Sequence, residues 1–177
     1  VLKAGQLPGI HLNGINISLD EELLVDAPGG QVNVVDSRID VGTDEVGGRI
    51  ALTGEAINVG GGSELIASGR NGGGLIEVGG SWQNSDASVR QAVTAQIEHG
   101  AVLDASASVD GDGGEIVVWS DKTCCEVWRV RTWHHLVCEL TPRTGRSAEH
   151  SVPSSHWALV SSLGLVQKGC SRECCLL

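Results

Sequence analysis

The acidic residues are the first candidates for chemistry, because two carboxylates held at a fixed separation can cleave a glycosidic bond. Four of them stand close together in the chain: Asp36, Asp40, Asp44 and Glu45. Such a group would suit a polysaccharide hydrolase or lyase. Exposed positions that alternate along a strand explain the same spacing more simply, so we expect no catalysis here.

A second acidic group lies in a glycine-rich segment and invites a calcium interpretation. It contains Asp110, Asp112 and Glu115. With Gly113 as the sixth residue of an EF-hand loop, Trp119 would stand where the twelfth residue must be a carboxylate. The Gly-Gly-x-Gly-x-Asp repeat of calcium β-rolls is also missing. We therefore expect a solvated acidic corner and no metal site.

The glycines do not form a nucleotide-binding motif. Gly72-x-Gly74 and Gly111-x-Gly113 both lack the third glycine of the dinucleotide fingerprint, and no Walker-type string is present. No serine stands in a Gly-x-Ser-x-Gly string. The chain is therefore expected to be neither an enzyme nor a cofactor-binding protein.

Trp82 and Trp119 are the only large aromatic residues before residue 122. A tryptophan can stack on a sugar ring, and this is one interpretation of Trp119. The two valines before it favour the other, in which the indole packs against the protein at the end of a strand.

Composition excludes several classes of function. The net charge is −10, whereas nucleic acids and anionic membranes are bound by clustered Lys and Arg. No apolar run approaches the roughly 18 residues of a membrane span, and the start of the chain does not resemble a signal peptide. We therefore expect an internal fragment of a longer protein. Phe, Tyr and Met are absent, so the core must consist of Val, Ile, Leu and Ala.

The chain divides after residue 121 into two kinds of sequence. Residues 1–121 hold 18 acidic residues, 5 basic residues, 22 glycines and no cysteine. Residues 122–177 hold 4 acidic residues, 7 basic residues, 3 glycines and 6 cysteines. We predict that 1–121 is a repeat segment and that 122–177 is an irregular or disordered tail of unrelated composition. A reading-frame shift near Lys122 explains the change, and a small cysteine-rich capping module is the alternative.

The cysteines of this tail bring zinc and disulfides into question. They are Cys124, Cys125, Cys138, Cys170, Cys174 and Cys175, with His134 and His135 nearby. No Cys-x-x-Cys pair is present, so their spacing predicts no zinc site.

One short string recurs in residues 1–121, in which a glycine pair precedes apolar residues at alternate positions. Its four copies are Gly29-Gly30-Gln31-Val32-Asn33-Val34, Gly47-Gly48-Arg49-Ile50-Ala51-Leu52, Gly73-Gly74-Leu75-Ile76-Glu77-Val78 and Gly113-Gly114-Glu115-Ile116-Val117-Val118. The period of two predicts a turn followed by a strand with one buried face. The glycines supply either a positive φ or close approach of two backbones.

A second pattern with single glycines lies between these copies. It occurs at Gly54-Glu55-Ala56-Ile57-Asn58-Val59, Gly62-Ser63-Glu64-Leu65-Ile66-Ala67 and Gly100-Ala101-Val102-Leu103-Asp104-Ala105. From Gly62 to Gly100 is 38 positions and from Gly74 to Gly114 is 40, which indicates one longer repeating unit. We also expect strands in residues 10–19, as an opening coil, and in the second half of residues 89–99.

Short strands with glycine corners build sandwiches, barrels and solenoids alike. A sandwich has no reason to reuse one turn-and-strand string, whereas in a solenoid each coil buries the face of the next. The sequence therefore predicts an all-β solenoid over residues 1–121.

Two ordered stretches carry a resemblance to a known family. They are Leu103-Asp104-Ala105-Ser106-Ala107 with Asp112-Gly113-Gly114-Glu115-Ile116-Val117-Val118-Trp119-Ser120-Asp121, and Leu65-Ile66-Ala67-Ser68-Gly69 with Gly72-Gly73-Gly74-Leu75-Ile76-Glu77-Val78. Over residues 10–121 the chain resembles large exoproteins of the filamentous haemagglutinin family, which use two-partner secretion. The resemblance implies a right-handed parallel β-helix, export through an outer-membrane transporter, and adhesion at the bacterial cell surface.

The expected function is a structural and adhesive segment of a secreted surface protein that attaches to a glycan or protein receptor of a host cell or another surface. No nucleic-acid partner and no membrane insertion are expected. The alternatives are a carbohydrate-active β-helix and an acidic protein-binding module.

Overall fold

The computed structural model describes residues 1–3, 9–81, 86–87, 89–121, 130–131 and 135–140. This part of the chain is all-β, as predicted, and none of its residues belongs to a helix that could cross a membrane. The strands are β1 Leu2–Lys3, β2 Gly9–Asn13, β3 Asn16–Ser18, β4 Glu22–Val35, β5 Arg38–Asp40, β6 Arg49–Val59, β7 Glu64–Ile66, β8 Leu75–Val78, β9 Thr94–Ile97, β10 Val102–Asp104, β11 Glu115–Ser120, β12 Val130–Arg131 and β13 His135–Leu140.

The described strands form two sheets in which every pairing is parallel. The larger, eight-stranded sheet has the order β1-β4-β6-β8-β11-β13, with β2 beside β4 and β9 beside β6. The smaller, five-stranded sheet has the order β12-β10-β7-β5-β3. Two parallel neighbours cannot be joined by a tight turn. The chain therefore passes through other strands before it returns to form the strand that pairs with a given one.

The strands and strand segments that pair side by side form three series, which we call tracks. The first contains β1, residues 22–27 of β4, residues 49–54 of β6, β8, β11 and β13. The second contains β2, residues 31–35 of β4, residues 56–59 of β6, and β9. The third contains β3, β5, β7, β10 and β12. From β4 to β10 the chain visits the first, second and third tracks in that order three times; one such passage is called a circuit below.

The core is aliphatic, as the composition predicts. In each track the residues of one face stack on identical or similar residues of the next strand, and Ile50, Ile76 and Ile116 form one such row. All three are fully buried, and the core cluster they belong to contains only Val, Leu, Ile and Ala. Each such side chain contributes about 1.5–3 kcal/mol to the free energy of folding before entropy is counted.

Three of the glycine pairs stack at the corner that leads from the third track into the first. A Cβ atom at Gly47 would overlap the carbonyl oxygen of Ala67, and one at Gly73 would overlap that of Ala105. None of the residues in these three pairs has a positive φ. The pairs are therefore required by close approach of successive backbones, which selects one of the two reasons that the sequence allowed.

The pair Gly29-Gly30 lies at a different corner. It is inside β4, where the chain passes from the first track to the second, and Gly29 has a φ of 67°. The residues after it pair with residues 56–59, which belong to the second predicted pattern. The four copies are thus not equivalent, because two corners with different geometry both need glycine.

The spacing of 38 positions between Gly62 and Gly100 is confirmed as one full circuit. These glycines occupy the same corner, where the amide of Gly62 donates to the carbonyl of Gly100 at 3.3 Å, and the strands that follow them pair in register. The extra length of this circuit includes an insertion: 16 positions separate Val78 from Thr94, against 4 between their partners Leu52 and Ala56.

Two strands beyond residue 121 extend both sheets. β12 pairs with β10, and β13 pairs with β11 over the whole of β13. These two strands lie within residues 122–177, for which the sequence predicts an irregular tail, and the tail stays a prediction for the rest of that segment. The free edges of β10 and β11 can pair with a backbone of any composition. His135 and Cys138 lie on β13; the other cysteines, His134 and the remaining residues of 141–177 lie outside the described residues.

Candidate functional site

The first acidic group is spread over a corner, a strand end and a turn. Asp36 precedes β5 and has a φ of 47°, while Asp44 and Glu45 are exposed in the turn that follows β5. Asp40 closes that turn, because its carboxylate accepts a hydrogen bond of 2.9 Å from the amide of Gly42. This hydrogen bond gives the Asp40 carboxylate a structural role.

Arg38 joins this group to the next circuit. Its guanidinium donates to Asp40 at 2.8 Å and forms an ion pair with Glu64, which is its register partner on β7. Partial burial alone would lower the pKa of Arg38, but the hydrogen bonds and charges of Asp40 and Glu64 outweigh it and raise the pKa. All three side chains remain partly exposed, so the pairs contribute about 1 kcal/mol or less to stability.

A second ion-pair group crosses three strands of the first track. Arg49 on β6 contacts Glu22 on β4 at 3.2 Å and Glu77 on β8 at 2.6 Å. Partial burial lowers the pKa of the Arg49 guanidinium, but its hydrogen bond to Glu77 and the charges of Glu77 and Glu22 outweigh this effect and raise the pKa. Glu77 is buried on the outer face of the sheet, where a carboxylate without an ion-pair partner would be costly.

A polar row runs down the outer face of the second track. It consists of register partners on β2, β4, β6 and β9: His11, Asn33, Asn58 and Gln96. The ring Nδ1 of His11 lies 3.2 Å from the side-chain Nδ2 of Asn33, and the side-chain Nδ2 of Asn58 donates to the Glu98 carboxylate at 3.0 Å. The sequence pattern that marks this row is a polar residue between two apolar residues in a strand that follows a corner, and it is repeated in four strands. It was missed because Asn33 and Asn58 come from two different sequence patterns, and His11 and Gln96 belong to neither.

The second acidic group lies in the last of three stacked loops. These loops connect the third track to the first and are called the loop ridge: residues 41–48, 67–74 and 105–114. Asp110 and Asp112 are exposed on the ridge, and Glu115 begins β11. Within the described ranges, no group of three His, Cys, Asp or Glu residues has the geometry to hold a metal ion.

Trp119 is packed against the protein, which confirms the packing interpretation over sugar stacking. It is 3% exposed and, with Ala51, Val89 and Val117, belongs to a small set of buried apolar residues outside the core cluster. These residues lie on the outer face of the first track and in the insertion. A Cβ atom at Gly80 would approach the indole Cδ1 of Trp119 to 3.0 Å.

The described residues of the insertion, 79–81, 86–87 and 89–93, lie along this outer face. Arg90 pairs with Asp26 of β4 at 3.6 Å, and the charge of Asp86 acts on Arg49 of β6. The amide of Asp121, after β11, donates to the carbonyl of Ala92 at 3.0 Å. The insertion is therefore a cover over the first track; Trp82 lies outside the described residues.

The described strands and their parallel sheets define a class, that of all-β proteins. The comparisons with known proteins add no narrower assignment: no protein-family model matches the chain, and no curated protein matches it.

Proposed function

We propose that the two sheets are the walls of a right-handed parallel β-helix. Its support is the repeated order of the three tracks, since a chain that passes through the same three positions again and again advances as a solenoid. Right-handedness rests on the rule that connections between parallel neighbouring strands are almost always right-handed.

We further propose that this β-helix is a structural and adhesive segment of a secreted bacterial surface protein of the filamentous haemagglutinin kind, without catalysis. The observation that carries this is the register of the two stretches that resemble the family. Leu65 pairs with Leu103 and Ile76 with Ile116, so the resembling residues occupy equivalent places in successive circuits. Stacked circuits of this kind give a stiff, extended support for a binding surface.

The proposed partners are a receptor on a host cell or another surface and an outer-membrane transporter that exports the longer protein. A rigid support presents its loops and outer rows for attachment, as scaffolds commonly do with binding residues.

Display of the 177-residue chain on a non-adherent bacterium tests the proposal. We expect attachment to cultured epithelial cells to exceed that of the empty display carrier. The control is Ile76→Asp, displayed in equal amount. This substitution places a charge in the aliphatic core, so it should disrupt the fold and thereby abolish attachment. Attachment equal to that of the empty carrier would contradict the adhesive role.

An assay on acidic polysaccharides with calcium separates the carbohydrate-active alternative. No turnover is expected. Turnover that is abolished by Asp36→Asn or Asp40→Asn would replace the adhesive proposal by the catalytic one.

A further inference from the structure

We propose that the loop ridge is a docking surface for a cationic protein segment that carries an apolar side chain among its lysines or arginines. This deepens the adhesive function, on which it rests, by naming the surface and the class of partner.

The ridge is rigid. Successive loops are joined by backbone hydrogen bonds, among them Asn71 to Glu45 at 2.7 Å, Val109 to Arg70 at 3.0 Å and Gly73 to Asp112 at 2.9 Å, each written from amide to carbonyl. Because the loops are held in place before a partner arrives, binding costs little ordering of the backbone.

Two apolar side chains project from this rigid ridge. Val46 is 58% exposed and Val109 is 68% exposed, more than any other large apolar residue among the described ones except Val1. Both residues adjoin the middle loop: a Cβ atom at Gly72 would lie 3.5 Å from a Val46 methyl, and the backbone amide of Val109 donates to the carbonyl of Arg70. The loops that carry the valines are two strand spacings apart, about 10 Å, which an extended segment of a few residues can bridge.

The charge around the valines selects the partner. The loops that carry them present Asp44, Glu45, Asp110 and Asp112, and Arg70 is the one cation of the ridge. A segment with lysine or arginine beside an apolar residue matches this pattern, whereas an anionic glycan is repelled by it.

Binding of a labelled peptide of alternating lysine and leucine to the full 177-residue chain, kept reduced, tests the proposal by fluorescence anisotropy. We expect saturable binding that weakens as salt rises. Val46→Ser with Val109→Ser should weaken it at least about tenfold, because the apolar contact is lost. Asp44→Asn with Asp110→Asn should weaken it and flatten its salt dependence.

The matched control removes the same charge elsewhere. Asp36→Asn with Glu55→Gln, both exposed and outside the ridge, should leave the affinity within about twofold. Circular dichroism should be unchanged in all variants. Equal weakening by the control pair, equal binding of a glutamate–leucine peptide, or no saturable binding of the lysine–leucine peptide overturns the proposal.

The displayed chain separates the two proposals. If it attaches to cells while the purified chain does not bind the lysine–leucine peptide, the ridge proposal is wrong and the adhesive function stands. If the displayed chain does not attach but the peptide binds at the ridge, the adhesive function fails and the docking surface remains.

Discussion

Arg49 on β6 holds the buried carboxylate of Glu77 on β8, with the guanidinium Nη2 at 2.6 Å and Nε at 2.9 Å from the same oxygen, Oε2. The side chain of Glu77 is 6% exposed, although it points to the outer face of the sheet. The two residues are 28 positions apart in the chain, so their contact depends on the stacking of successive circuits. A buried charge of this kind is costly unless its partner stays in place.

Replacing Arg49 tests how much stability depends on this contact. Arg49→Ala should lower the free energy of unfolding by about 2–3 kcal/mol, because it leaves the Glu77 charge buried without its partner. Urea unfolding followed by circular dichroism measures the change. The matched control is Arg38→Ala, whose partners are partly exposed and whose loss should cost about 1 kcal/mol or less. Equal losses for the two variants would show that the burial of Glu77 has no energetic consequence.

The glycine corners have two different requirements, and substitutions separate them. Gly73→Ala should cost about 3 kcal/mol or prevent folding, because its Cβ would overlap the carbonyl of Ala105. Gly14 has a φ of 64° and open space around its Cβ position, so Gly14→Asn should cost less than about 1 kcal/mol. Thermal unfolding of both variants gives the comparison. A stable Gly73→Ala protein would contradict the close approach of circuits at this corner.

The cover formed by the insertion predicts that Trp119 stabilises the chain. Trp119→Ala should lower the free energy of unfolding by about 3 kcal/mol, because a large buried side chain is lost. Val109→Ala is the control, since Val109 is exposed and its loss should change stability by less than about 0.5 kcal/mol. Chemical denaturation measures both. If Trp119→Ala is as neutral as the control, the indole is not part of a packed layer.

Removing residues 122–177 should cause self-association. The truncation takes away β12 and β13 and leaves the edges of β10 and β11 unpaired, with the buried residues Leu103, Ile116 and Val118 at the open end. Unpaired edges and exposed apolar rows promote association between copies. Size-exclusion chromatography with light scattering should show aggregates of residues 1–121. A soluble monomer that melts cooperatively would argue against this consequence.

Strand positions and faces were largely predictable from the sequence. The alternation around Ile57 and Leu103 places one face of each strand in the core, and both residues are buried as expected. The absence of Phe, Tyr and Met correctly predicted an aliphatic core. Alternation is a local property of about five residues, so it can be read without knowledge of the partner strand.

The register of the strands was not predictable in the same way. Sequence similarity grouped Gly29 with Gly47, although the two lie at different corners of the circuit. The polar row of His11, Asn33 and Asn58 was missed for the same reason, since its members come from strings that look different. Which residues become neighbours depends on pairing between strands some 20–40 positions apart, and a local pattern does not specify it.

The sequence by itself determined that residues 1–121 are built from short strand segments with glycines between them and a core of Val, Ile, Leu and Ala. Only the tertiary structure decided that Arg49 meets Glu77, and that the insertion covers the outer face where Glu77 and Trp119 are buried. The physical reason is that a side chain on the outer face of a strand is exposed unless a distant segment lies over it. Neither the register that brings Arg49 to Glu77 nor the path of that segment is encoded in the alternation of either strand.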